Sequence, residues 1–183
     1  TPRSSGAAQQ RDEDEDATHI NWWNKQFQVA PEDEWVQSRN RWTPGAIITL
    51  TIEEGGSEVY SDSQTADPHG NFNFNLWDVF DLQRGQVVTV SGTSATKVLT
   101  VMPLYVDDTD VDAETISGRA DPAGSEVNIW VHGDGNLNVT PDGSGNWTAD
   151  FSGQTDLTYF SDGGSQQFDA DGDSTGVWWT APR

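Results

Sequence analysis

Trp42-Thr43-Pro44-Gly45-Ala46-Ile47-Ile48-Thr49-Leu50-Thr51 is a Pro/Gly turn feeding a run in which apolar and polar side chains alternate. A period of two places Ile48 and Leu50 on one face of a strand and Thr49 and Thr51 on the other, the pattern of a half-buried sheet. The same grammar returns in Ala120-Asp121-Pro122-Ala123-Gly124-Ser125-Glu126-Val127-Asn128-Ile129. A second pair of stretches also matches: Asp67-Pro68-His69-Gly70-Asn71-Phe72 and Asp142-Gly143-Ser144-Gly145-Asn146-Trp147 each place a turn, a glycine and an asparagine before an inward aromatic. Working outward, alternation predicts strands at 26–29, 46–53, 58–61, 71–76, 86–91 and 97–102, then at 115–119, 126–131, 137–140, 146–151, 166–169 and 175–180. Turn residues separate them and no amphipathic helix intervenes, so the chain reads as all-β. Six or seven short strands per ~75 residues is the rhythm of a β-sandwich, and it predicts one sandwich over 25–103 and another over 104–183.

The two ends of the chain carry the same segment. Residues 4–24 match residues 161–181 at a constant offset of 157, with nine identities in 21 positions and no gap. Ser4, Gly6, Gln9, Gln10, Asp12, Asp14, Asp16, Thr18 and Trp22 fall on Ser161, Gly163, Gln166, Gln167, Asp169, Asp171, Asp173, Thr175 and Trp179. Residues 1–24 are therefore read as an N-terminal extension that carries a strand and repeats the C-terminal segment 158–181. A tandem array with that period follows, either covalent or built by strand exchange between subunits. Thr18, Ile20, Trp22 and Trp23 are the predicted assembly strand, whose unpaired backbone would seek an edge on an identical subunit or a neighbouring repeat, as a donor strand does in a filament.

Composition narrows the partners. Thirty acidic residues against nine basic ones give a net charge of −21. Such a surface repels phosphate backbones and anionic lipid, so neither nucleic acid nor membrane insertion is expected. No stretch approaches the ~20 apolar residues of a spanning helix. There is no cysteine, which removes disulfides, thiolate metal sites and cysteine nucleophiles together. A start at Thr1-Pro2-Arg3 with neither Met nor a basic-then-apolar leader reads as a mature or excised piece of something larger.

The patterns Pro-Ala-Gly-Ser-x-Val-x-Ile and Asp-Gly-Ser-Gly-Asn-Trp resemble those of bacterial immunoglobulin-like repeat domains in large surface adhesins and secreted multidomain proteins, a resemblance that covers residues 42–180. It implies two tandem Ig-like β-sandwich domains, an extracellular or cell-surface location and a spacer, adhesive or filament-forming role. It also implies calcium at domain junctions.

Candidate chemistry is sparse. Asp169-Ala170-Asp171-Gly172-Asp173 alternates carboxylates around a glycine, and Asp12-Glu13-Asp14-Glu15-Asp16 does so in the other copy. Hard oxygen ligands so concentrated suit Ca²⁺, and equally a solvated acidic loop, since the twelfth position of a true EF-hand loop falls on Thr180 rather than a glutamate. Asp107-Asp108-Thr109-Asp110-Val111-Asp112 reads as a third acidic stretch, either a metal bridge or an extended linker between the sandwiches. Adjacent pairs Trp22-Trp23 and Trp178-Trp179 would each present one ring inward and one outward, which leaves a carbohydrate-binding module of a secreted protein as the alternative function. The single tryptophans 35, 42, 77, 130 and 147 are expected in cores. Asn138 and Asn146 begin Asn-x-Thr glycosylation sequons. No Gly-x-Ser-x-Gly or histidine pair at ligand spacing is present, so the chain is read as a non-enzyme.

Overall fold

The computed structural model describes residues 5–11, 14, 17–39, 41–121 and 126–182, and every regular element among them is a strand. The alternation around Ile48 becomes β5 (Ile47–Glu54), with Ile48, Leu50 and Ile52 buried. It pairs on one side with β6 (Ser57–Thr65) and on the other with β8 (Val87–Gly92), which carries β9 (Ala95–Thr100) at the edge. Facing this four-stranded sheet are β3 (Gln28–Ala30), β4 (Trp35–Ser38) and β7 (Phe72–Asn75). The core between them runs in sequence from Phe27 to Met102 and is anchored by Trp42, whose ring meets Phe72 edge-on at 5.7 Å.

The second half repeats the layering. β10 (Tyr105–Asp110), β11 (Thr115–Arg119) and β14 (Asn146–Asp150) form one sheet, which encloses a core of Ile116, Ile129, Trp147, Phe151 and Trp179. The opposite layer contains β12 (Val127–Val131), β13 (Asn136–Val139), β15 (Asp162–Phe168) and β16 (Ser174–Thr180). The matched turns have the same construction in both halves. Gly70 O accepts from Trp42 N at 3.2 Å, and Gly145 O accepts from Ala120 N at 2.8 Å.

A shared sheet joins the two cores. β16 pairs in parallel with β3, Ser174 opposite Gln28 and Thr175 opposite Val29, so seven strands run without a break in the order β13-β12-β15-β16-β3-β4-β7. Side chains reinforce the seam: Thr175 Oγ1 accepts from Met102 N at 2.9 Å, and Asp173 Oδ1 accepts from Phe27 N at 2.9 Å.

Three expectations change. The acidic stretch from Asp107 is no linker, because Asp107 to Asp110 lie in β10, where Thr109 is buried and Arg119 binds Asp107. The N-terminal extension is a hairpin rather than one unpaired strand: β1 (Ser5–Arg11) pairs antiparallel with β2 (Ala17–Trp23), which holds Thr18, Ile20, Trp22 and Trp23. Of the single tryptophans expected in cores, Trp42 and Trp147 are buried, but Trp35 and Trp130 are half-buried and outside both cores, Trp130 meeting Trp178 on the outer face of the seven-stranded sheet. Trp77 is 60% exposed on the turn after β7, where Asn75 Oδ1 accepts from its N–H at 3.1 Å.

Candidate functional site

The two hairpins superimpose in register as well as in sequence. In β1–β2 Ser5 faces Trp23, Gly6 faces Trp22 and Arg11 faces Ala17. In β15–β16 Asp162 faces Thr180, Gly163 faces Trp179 and Phe168 faces Ser174, each at the offset of 157. Five of the identities, Gly6, Gln10, Asp16, Thr18 and Trp22, have counterparts Gly163, Gln167, Asp173, Thr175 and Trp179 that are buried. Packing explains the glycine: a Cβ on Gly163 would stand 2.0 Å from Trp130 O and 2.6 Å from the Trp179 ring. The second hairpin has both of its long edges occupied, by β12 and by β3, while the first forms a two-stranded sheet of its own.

The loop between β15 and β16 holds the predicted carboxylates. Asp169 Oδ1 accepts from Asp171 N at 2.8 Å and Asp173 N at 2.9 Å, and Gly172 takes φ of 85°. Asp67 accepts in the same way from His69 N and Asn71 N beside Gly70, and Asp142 from Ser144 N and Asn146 N beside Gly145. The pattern Asp-x-x-Gly-Asx is thus a turn device used three times, in which the aspartate oxygen replaces backbone acceptors. Backbone hydrogen bonds hold the half-buried Asp67 and the exposed Asp142 carboxyls below their ordinary range. Burial pushes Asp169 the other way despite the same bonds.

Lys97, from β9, reaches into this loop. Its Nζ lies 3.1 Å from Asp171 Oδ2 and 3.1 Å from Asp173 Oδ2, and it donates to Asp171 O at 3.3 Å. Burial pushes the Asp173 carboxyl up to about 7, against the pull of Phe27 N–H and Lys97. The ammonium, disfavoured by its own burial, is held above its ordinary value by the two aspartates. Among the described residues no group of three His, Cys, Asp or Glu side chains converges on a metal-sized point. Asp12 and Asp16 lie outside the described residues, and Asp14 is exposed.

A third feature was legible only as adjacent tryptophans. Trp179 points into the second core while Trp178 is 46% exposed on the outer face of the seven-stranded sheet. There it meets Trp130 edge-to-face at 5.6 Å, beside an open groove of about 400 Å³ that crosses the β16–β3 seam. The sequon asparagines Asn138 and Asn146 are exposed; Asn138 Oδ1 accepts from Asn128 Nδ2 at 2.8 Å, and Asn146 is bound to Asp142.

No protein-family model and no curated protein matches the sequence. Among solved structures the chain is similar to a "Biofilm associated protein - BSP domain", at 16% identity and a TM-score of 0.36, over 85% of this chain and 28% of that one. It is also similar to the "tetra-tandem repeat in extending region of large adhesion protein", at 15% identity and a TM-score of 0.31, over 97% of this chain and 56% of that one. The chain spans less than two thirds of the length of either.

Proposed function

We propose that this chain is a stretch of an extracellular, non-enzymatic tandem array in which each unit of 157 residues ends in a hairpin that folds back to close its own sheet. The observation that carries this reading is the hairpin pair. The first repeats the second in strand length and register, and within those strands it keeps four of the residues that the second buries, Gly163, Gln167, Thr175 and Trp179. A hairpin retaining Gly6, Gln10, Thr18 and Trp22 has the face needed to complete a sandwich equivalent to the second one, and that sandwich belongs to a preceding unit.

Covalent succession is favoured over strand exchange between copies. The slot between β12 and β3 is filled by the chain's own β15 and β16, so a second copy's hairpin could enter only by displacing it. The junction between units is short: residues 24–27 are all that separate β2 from β3, a reach of ~14 Å. Their counterparts at the far end begin with Ala181 and Pro182, which line an open hollow with Tyr159 and Phe160. Those rings are 55% and 88% exposed, and a following unit would cover them.

A chimaera tests the reading directly. With residues 4–24 copied in place of 161–181 but Gly164, Gly172 and Gly176 retained, the chain is expected to melt in one cooperative transition, as the parent does, because the transplanted hairpin carries Gly6, Gln10, Asp16, Thr18 and Trp22 where the parent buries Gly163, Gln167, Asp173, Thr175 and Trp179. A chimaera that loses the near-ultraviolet signal of its buried tryptophans, beside a parent that retains it, would refute the equivalence of the hairpins.

A further inference from the structure

We infer that the outer face of the seven-stranded sheet binds an extended acidic saccharide, laid across the seam between the two cores. Register assembles the site. Trp130, Gly164 and Trp178 stand abreast on β12, β15 and β16, and two residues along come Asn128, Gln166 and Gly176. Further along the same face Ser174, Gln28, Gln37 and Asn73 stand abreast on β16, β3, β4 and β7. Residues directly opposed across paired strands share a face, so these rows form one surface. Two glycines keep it flat. A Cβ on Gly164 would stand 2.3 Å from the Trp130 ring, and one on Gly176 would stand 2.3 Å from Gln28 Nε2, so the ring and the amide lie down on the sheet.

The side chains specify the ligand. Gln28, Gln37 and Gln166 are half-buried, and among the described residues their side-chain amides have no hydrogen-bond partner. Half-buried amides without partners call for donors and acceptors in close succession, which hydroxyls supply. The indoles call for a flat C–H face to stack on. Arg39 and Arg41 line the same groove, and among the described residues neither is in an ion pair, in a chain with only nine basic residues against thirty acidic ones. A guanidinium left open in so acidic a molecule fits a carboxylate, which it can bind through two parallel hydrogen bonds. Alternating C–H faces, hydroxyls and carboxylates are the chemistry of a uronic-acid polymer. An acidic peptide fits less well, because extended peptides add at sheet edges and this surface is a face.

The internal repeat shows that folding does not dictate this surface. Gly163, Gln167, Thr175 and Trp179 are matched by identical residues in the first hairpin, whereas Gly164, Gly176 and Trp178 correspond to Ala7, His19 and Asn21. Of the groove positions on this hairpin the copies share Gln166, matched by Gln9, and diverge at the two flattening glycines and the exposed indole.

The experiment is calorimetric titration of the full chain with oligogalacturonate, with cello-oligosaccharide of equal length and with poly-glutamate. Expected are binding of the oligogalacturonate, about tenfold weaker binding by Trp178→Ala and by Arg41→Gln, and no change with Trp77→Ala. Each variant is first checked for an unaltered melting midpoint, which exposed Trp178 makes attainable; Gln37→Ala, expected to weaken binding likewise, serves if it is not. The proposal is overturned if the oligogalacturonate releases no heat, if neutral sugar or poly-glutamate binds as tightly, or if Trp178→Ala and Gln37→Ala both leave the affinity unchanged.

Discussion

Asp173 is fully buried with one oxygen on Phe27 N–H and the other 3.1 Å from the Lys97 ammonium. A carboxyl raised from 3.8 to about 7 by burial holds a proton in the folded chain at pH values where the unfolded chain has lost it. Its contribution to stability is therefore fully present below pH 3.8 and is lost as the pH rises through about 7. Asp173→Asn, which cannot ionise, is expected to lose less stability than the parent between pH 5 and pH 8 in urea denaturation. Lys97→Met should do the reverse, destabilising by about 3 kcal/mol at pH 8, where the carboxylate is left buried without its partner, and by less at pH 5. Because the Lys97 ammonium already stands 3.1 Å from both Asp171 and Asp173, calcium is not expected to raise the parent's midpoint through this loop; a calcium-dependent rise that is lost on Asp171→Asn would mean that the ion displaces the ammonium. The aspartates themselves were visible in the sequence, but Lys97 is separated from Asp173 by most of a sandwich, and nothing in the local pattern Asp-x-Asp-Gly-Asp distinguishes a turn from a cation loop. The distinction was present elsewhere, in Asp67 and Asp142, whose identical spacing to a glycine marks the turn.

At the scale of elements, the strands with apolar alternation were legible, and three others were not: β1, whose Ser-Gly-Ala-Ala-Gln-Gln-Arg has no large apolar residue, β4 and β10. β4 has only four residues, and β10 is rich in aspartate, a residue that strands disfavour. What holds β10 is distant in sequence. Arg119 Nε and Nη2 each bind Asp107 at 2.8 Å, and the Tyr105 ring lies between the guanidiniums of Arg119, at 4.5 Å, and Arg84, at 3.9 Å. Arg84 does more than stack: it donates to Leu104 O at 3.0 and 2.7 Å and to Glu32 at 2.8 Å, tying the first core to the start of the second. The two arginines should differ accordingly. Arg84→Ala, which strips hydrogen bonds from a largely buried charged group, is expected to lower stability by about 2 kcal/mol in chemical denaturation. Arg119→Ala, at an exposed ion pair, should lower it by less than about 1 kcal/mol. Equal losses would mean that the Tyr105 stack, common to both, is what matters.

On the scale of the whole molecule, the sequence indicated two cores and a repeat but not the sheet they share. Parallel pairing of β16 with β3 joins residues 146 apart, and no local signal announces it. For the proposed array its consequence is mechanical, because a sheet continuous across both cores resists bending between them and leaves the junctions as the place for it to occur. On that proposal each junction is the short stretch equivalent to 24–27, next to Tyr159 and Phe160. If successive units seal these rings, Phe160→Ser is nearly silent in the present chain, within about 0.5 kcal/mol, since an exposed side chain contributes little. In a chain of two covalent units the same substitution in the first unit removes the apolar contact at the junction, worth about 2 kcal/mol for a fully covered aromatic ring. Small-angle scattering then distinguishes a stiff rod from a hinged pair: the unsubstituted two-unit chain should give one narrow distribution of maximum dimension, and the Phe160→Ser chain a broader one. Equal distributions would place the stiffness of the array in the covalent link alone and leave Phe160 open to another partner.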